Sequence, residues 1–124
     1  MIVLDTSVLI EGIGAGGRMR GEFRTAIAGG ERLVLPALVL FEWLRGPRVP
    51  EELAAQEALF PTDQALDFSA DEARIAAHLY RELPHPRGRE IDLAIAASAL
   101  VWRCPLWTLN VADFEDIPGL HLVR

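Results

Sequence analysis

The sequence predicts an α/β protein, a three-layer sandwich with a mainly parallel central sheet. Short apolar runs alternate with helical patterns along the chain, as expected when helices cover both faces of a parallel sheet. The first run, Ile2–Leu4, is apolar at every position, which is typical of a central strand buried on both faces. The 124 residues are 51% hydrophobic with a mean hydropathy of +0.21, so we expect one domain, residues 1–124, with a sizeable core.

Capping residues and glycine stops place the elements of the first half. Glycine closes the first predicted helix at "GAGG" (14–17) and the second at Gly29 and Gly30, while Gly46 and Pro47 stop the third. The predicted strands are 2–4 and 32–36, and the predicted helices are 7–13, 19–28 and 37–45.

Similar signals place the elements of the second half. A helix over 50–60 starts with proline and has two glutamates in its first turn, and "SADE" has the capping-box spacing for a helix over 70–83. A third helix, 91–102, is alanine-rich and apolar nearly all round, which indicates burial. Strands are expected at 65–68, 105–109 and 120–123, with a helical turn at 111–116.

Composition excludes several classes of function. No run approaches the ~18 apolar residues of a membrane span, so we expect no membrane partner. Met1 leads straight into a strand without a secretory signal, and the lone Cys104 rules out an internal disulfide, so we expect a cytoplasmic protein. The net charge of −6 argues against broad nonspecific nucleic-acid binding, although all 12 basic residues are arginines that could form a local rim.

Four acids stand beside apolar runs rather than in solvated charged stretches: Asp5, Glu42, Asp92 and Asp113. Each has a simple structural interpretation. Asp5 and Asp113 could cap the helical segments that follow them, Asp92 could interact with its helix dipole, and Glu42 could point to water.

The four acids together favour a cation site. Two carboxylates ~4 Å apart repel by about 4 kcal/mol at an effective dielectric of ~20, and the chain has no lysine to neutralise them. Either some stay protonated or a cation lies between them, and carboxylates suit Mg²⁺ or Mn²⁺. Asp5 follows the first strand, at the sheet edge where ligands of open α/β sheets bind.

Four stretches, in this order, resemble the PIN-domain nucleases, and within them the VapC-type toxins of toxin–antitoxin pairs. They are "MIVLDTSVLIE", "LPALVLFEWLRG", "GREIDLAIAASAL" and "LWTLNVADFEDIPGL", and the resemblance covers essentially the whole chain. It implies a PIN-like fold. The site residues that it implies are four catalytic metal ligands, Asp5, Glu42, Asp92 and Asp113, and three supporting or substrate-orienting positions, Thr6, Thr108 and Asn110.

The resemblance also implies an activity and partners. The chain is expected to be a metal-dependent endoribonuclease, the toxin of a type II pair, in which a metal-activated water cleaves RNA to a 3′-hydroxyl and a 5′-phosphate. Its partners would be RNA, a cognate antitoxin and a second copy of the chain, as a homodimer.

Other interpretations remain open from the sequence. A catalytically silent PIN-fold interaction module is the main alternative, although such a module has no use for mutually repelling acids. A haloacid-type phosphatase would need a second aspartate that "DTSVL" lacks, and a receiver domain would need a late lysine. Arg89, three residues before Asp92, is expected to be a solvent-exposed loop residue or, alternatively, a phosphate contact.

Overall fold

The computed structural model describes residues 1–14 and 16–123, and at their centre lies a three-stranded parallel sheet. The strands are β1 (Ile2–Leu4), β2 (Leu33–Val34) and β3 (Leu106–Trp107), in the order β2–β1–β3. Every residue of β1 is buried. The prediction of a central, doubly covered first strand in a parallel sheet is confirmed.

Six helices in the described residues surround this sheet, and each begins and ends within one residue of its prediction. They are α1 (Thr6–Ile13), α2 (Arg20–Ala28), α3 (Ala37–Arg45), α4 (Pro50–Leu59), α5 (Ala70–Glu82) and α6 (Glu90–Trp102). Short 3₁₀ turns lie at Thr62–Gln64 and Val111–Asp113. Of the predicted stop at 14–17, residue 15 lies outside the described residues. No helix of the described chain is long and apolar enough to cross a bilayer.

Two predicted strands were wrong, because their partners are too short to extend the sheet. The segment 65–68 makes only a bridge at Leu66, which bonds the backbone of Leu35 and Ala37 at 2.8 and 2.7 Å. Its partner segment becomes helical at Ala37, so no further rung forms. The segment 120–123 makes one bridge, Leu122 to Leu106, beside the two-residue strand β3.

Helix α6 lies in the core, as its composition predicted. Its residues from Leu93 to Ala99 are all buried, and their small alanine side chains let the helix pack against β1, α3 and α5. Asp92 stands in the first turn of this helix, and Asp5 directly follows β1. Both acids are therefore carried by the most deeply packed elements of the fold.

Candidate active site

Asp5 is a buried acid held by two hydroxyl groups. Its side chain is 3% exposed, and Oδ2 accepts hydrogen bonds from Oγ of Ser7 at 2.9 Å and Oγ1 of Thr108 at 2.7 Å. Although Asp5 occupies the N-cap position of α1, its side chain makes no capping bond. The capping interpretation is therefore wrong for Asp5, whose carboxylate is oriented by Ser7 and Thr108 instead.

Glu42 is oriented by one hydroxyl and one guanidinium. Its Oε1 accepts a hydrogen bond of 2.6 Å from Oγ1 of Thr6, and its Oε2 lies 3.4 Å from Nη2 of Arg45. The side chain is only 19% exposed. Glu42 therefore does not simply point to water, and the bond from Thr6 links the start of α1 to α3.

The pKa of Asp92 reflects the burial and the charges around it. Burial, and after it the negative charges of Asp5, Asp113 and Glu42, raise the pKa of its carboxyl group from 3.8 to about 6, while Arg89 opposes them. The charges of the other three predicted acids therefore all act on Asp92. Near neutral pH the ionised cluster is an unfavourable arrangement that a cation would relieve.

Asp113 differs from the other three acids in its surroundings. It ends the exposed 3₁₀ turn Val111–Asp113 that follows β3, and its backbone N–H donates to the carbonyl of Asn110 at 2.9 Å. Its position on a surface turn leaves its carboxylate accessible to solvent.

The donor atoms of this site fit a hard divalent cation. They are carboxylate oxygens supported by hydroxyl groups, the ligands that Mg²⁺ and Mn²⁺ prefer. Within residues 1–14 and 16–123, no three acidic, histidine or cysteine side chains stand in an arrangement that would hold an ion as they lie. The acids thus share one electrostatic environment without forming a complete coordination shell.

Comparison with known proteins identifies the family of this site. Residues 2–120 match the model of the PIN domain. The chain belongs to the PIN-domain family. The resemblance drawn from the four motifs is confirmed.

Two kinds of relative share this PIN domain over nearly its whole length. The chain is 34% identical to Ribonuclease VapC19 of Mycobacterium tuberculosis (strain CDC 1551 / Oshkosh), an alignment that covers 98% of each chain. Among solved structures, DNA-bound VapBC from Salmonella typhimurium matches with a TM-score of 0.72 and 25% identity, over 98% of this chain and 96% of that one. A toxin–antitoxin complex from Klebsiella pneumoniae matches with a TM-score of 0.71 and 26% identity, over 97% and 95%.

The three supporting positions of the PIN domain have different surroundings. Thr6 and Thr108 each donate a hydrogen bond to a site acid, Glu42 and Asp5 respectively. Asn110 is exposed, and its backbone N–H donates to Oγ1 of Thr108 at 3.0 Å. The catalytic and metal-binding roles of these residues stay predictions.

Sequence reasoning missed Ser7 in this PIN domain. Its Oγ donates to Asp5 and also accepts the backbone N–H of Leu109 at 3.0 Å, so it joins the segments after β1 and β3. The hydroxyl two residues after the acid in "DTS" was a visible signal. Its second partner lies 102 residues away, a distance over which sequence spacing gives no guide.

The structure corrects the prediction that Arg89 is a solvent-exposed loop residue. Its side chain is only 19% exposed, so the solvent-exposed interpretation was wrong. It forms a two-pronged ion pair with Asp116, with N–O distances of 2.7 and 3.0 Å. No sequence signal had singled out Asp116.

Proposed function

We propose that this PIN domain is a metal-dependent endoribonuclease and the toxin of a type II toxin–antitoxin pair. The PIN-domain match over residues 2–120 carries the proposal, and the charges of Asp5, Asp113 and Glu42, which all act on Asp92, support it. Two comparisons support it: the Mycobacterium tuberculosis relative is named a ribonuclease, and the solved relatives include a toxin–antitoxin complex.

In this proposal the four acids hold one or two Mg²⁺ or Mn²⁺ ions. A bound ion would lower the pKa of a water molecule and stabilise charge on the scissile phosphate. The chain's own residues supply orientation: Ser7 and Thr108 direct Oδ2 of Asp5, and Thr6 directs Oε1 of Glu42. Asp92, whose pKa is raised to about 6, is mostly ionised near neutral pH, and a bound cation would favour its charged form further.

The RNA strand would approach an acidic centre, so it needs positive charge nearby. Arg45 supports this: its side chain is 55% exposed, and its Nη2 lies 3.4 Å from Oε2 of Glu42. In this proposal Arg45 contacts phosphates, which fix the position of a strand without reading its sequence.

The partner of the toxin would be a small cognate antitoxin, with both proteins in the cytoplasm. We propose that the antitoxin inserts an arginine or lysine among the four acids and competes with metal, because a guanidinium binds carboxylates in bidentate fashion. Calorimetry should then give weaker antitoxin binding for Asp5→Asn and Asp113→Asn. Unchanged affinity for both variants would mean that the antitoxin leaves the acids free.

We also propose that the toxin forms a homodimer. Phe41 and Leu44 on α3 are 50% and 47% exposed and stand one helical turn apart, on either side of Glu42. A second copy would cover this apolar pair and remove it from water. Sedimentation of the purified chain measures the oligomeric state.

A silent interaction module is a second candidate. One observation favours it: among the described residues, no three acidic, histidine or cysteine side chains are arranged so that they could bind a metal ion together. Such a module would bind its partner protein but would cleave no RNA at any Mg²⁺ or Mn²⁺ concentration.

The deciding experiment is cleavage of structured RNAs with Mn²⁺, with Mg²⁺ and with EDTA. Wild type should cleave only with metal, and Asp5→Asn purified in parallel should lose the activity, which also controls for contaminating nucleases. Asp63→Asn, an exposed acid in the turn Thr62–Gln64, serves as the matched control and should cleave like wild type. Equal cleavage by wild type and Asp5→Asn would refute the proposal.

A further inference from the structure

The side chain of Arg89 makes hydrogen bonds that play no part in the binding of metal, RNA or antitoxin proposed above. Its Nη2 donates to Oδ1 of Asp116 at 2.7 Å and to the backbone carbonyl of Asp113 at 3.0 Å. Its Nη1 donates to Oδ2 of Asp116 at 3.0 Å. The planar guanidinium thus binds both the side chain of Asp116 and the backbone of Asp113. A lysine ammonium does not reproduce this geometry.

The backbone of Arg89 belongs to the other side of the site. Arg89 is the N-cap residue of α6, and its carbonyl accepts the N–H of Leu93 at 2.8 Å. Asp92 stands three residues further on, in the first turn of the same helix. One residue therefore joins the start of the helix that carries Asp92 to the exposed turn that carries Asp113.

We propose that Arg89 is a positioning residue whose tether to Asp116 and to the carbonyl of Asp113 sets the spacing between the carboxylates of Asp92 and Asp113. The inference rests on the proposed function, in which these two acids bind the same metal centre. Arg89 would thus act on metal affinity without touching the metal, as hydrogen-bonded neighbours of metal ligands do.

Electrostatics alone predicts the opposite sign, which makes the inference testable. Arg89 is a cation near a cluster of acids, so removing its charge should by Coulomb's law draw Mg²⁺ or Mn²⁺ in more strongly. A tether predicts that metal binding weakens. Arg89→Lys separates the two views further, because it keeps the charge but loses the two-pronged geometry.

The experiment is Mn²⁺ binding by calorimetry on the full chain, with wild type, Arg89→Lys and Arg89→Ala. Both variants should bind Mn²⁺ about 10-fold more weakly. Arg87→Ala removes the same charge from an exposed position on the same loop and should change affinity by less than about 2-fold. Asp116→Asn should also weaken binding, more than Glu115→Gln, which removes an exposed neighbouring acid.

Several results would overturn the tether. They are unchanged or tighter Mn²⁺ binding by Arg89→Ala, wild-type affinity in Arg89→Lys, and equal losses in Asp116→Asn and Glu115→Gln. Melting in EDTA is the folding control: if both Arg89 variants lose the fold, the residue has a purely structural role and the proposal fails. If wild type binds Mn²⁺ but cleaves no RNA, the proposed function fails while calorimetry still tests the tether.

Discussion

Replacing Asp92 by asparagine should stabilise the metal-free protein at neutral pH, although it removes a predicted metal ligand. Burial and the charges of Asp5, Asp113 and Glu42 raise the pKa of Asp92 from 3.8 to about 6, so ionising this carboxyl group costs more in the folded than in the unfolded chain. Asparagine has nearly the same shape and no charge. The variant avoids this cost while keeping the side chain's volume.

The sign of the effect depends on pH. Below about pH 3.8 the carboxyl group is protonated in both states and contributes nothing. Between 3.8 and about 6 the unfolded chain loses its proton first, so the wild type loses stability as the pH rises. Above about 6 both states are ionised and the full cost remains. The advantage of Asp92→Asn therefore appears across this window and is constant above it.

The magnitude follows from the pKa. A change from 3.8 to about 6 corresponds to roughly 3 kcal/mol at about 1.4 kcal/mol for each tenfold change in proton affinity. Asp92 is only half-buried, and solvent screening reduces the effect to about 1 to 2 kcal/mol. For a chain of this size, that free energy raises the melting temperature by about 4 to 8 °C.

The assay is urea unfolding in EDTA for both proteins between pH 4 and pH 8. The difference in unfolding free energy should be smallest at pH 4, rise with pH and reach its plateau by pH 7. Added Mg²⁺ should reverse the order, because only the wild type keeps the full ligand set. A variant that is less stable than wild type at pH 7 in EDTA, or a difference independent of pH, would refute the electrostatic reasoning.

Three further predictions concern the site and the core. Thr108→Val removes the 2.7 Å bond to Asp5 and should weaken Mn²⁺ binding about 10-fold by calorimetry; unchanged affinity would show that the hydroxyl does not orient the acid. Saturating Mg²⁺, at 100 times its Kd, should stabilise the wild type by about 2.7 kcal/mol, and Asp5→Asn should lose most of this gain in thermal melts. Gly12→Ala places a Cβ 2.7 Å from the buried ring of Phe23, so urea unfolding should give a loss of about 1 to 2 kcal/mol after the gain in helix propensity; equal stability would mean that the ring moves freely.

Local sequence signals predicted the helices well because their starts and stops are encoded nearby. Capping residues, prolines and glycines lie within one turn of each helix end, and the apolar pattern of Ile2–Leu4 marked the central strand. Strand length was predicted less well, because a strand extends only as far as its partner. Leu66 makes a single bridge since the neighbouring segment turns into α3 at Ala37.

The candidate site divides in the same way. The four acids were visible because each interrupts or follows an apolar run, and the family resemblance ordered them. The residues that hold them were harder to find, since Ser7 meets Leu109, and Arg89 meets Asp116, only after the chain has folded. Such contacts depend on how elements pack, and no local spacing encodes them.

The last rung of the sheet has a consequence for how the site responds to a ligand. The N–H of Asp5 bonds the carbonyl of Trp107 at 2.9 Å, so exposing this amide requires opening the central strands, an event of nearly global unfolding. The N–H of Asp113 lies in an exposed surface turn and opens at far lower cost. One side of the centre is therefore as durable as the core, while the other opens more easily and is the side that a ligand would protect most. In hydrogen exchange, a bound ion or antitoxin would slow the amides of Val111–Asp113 first.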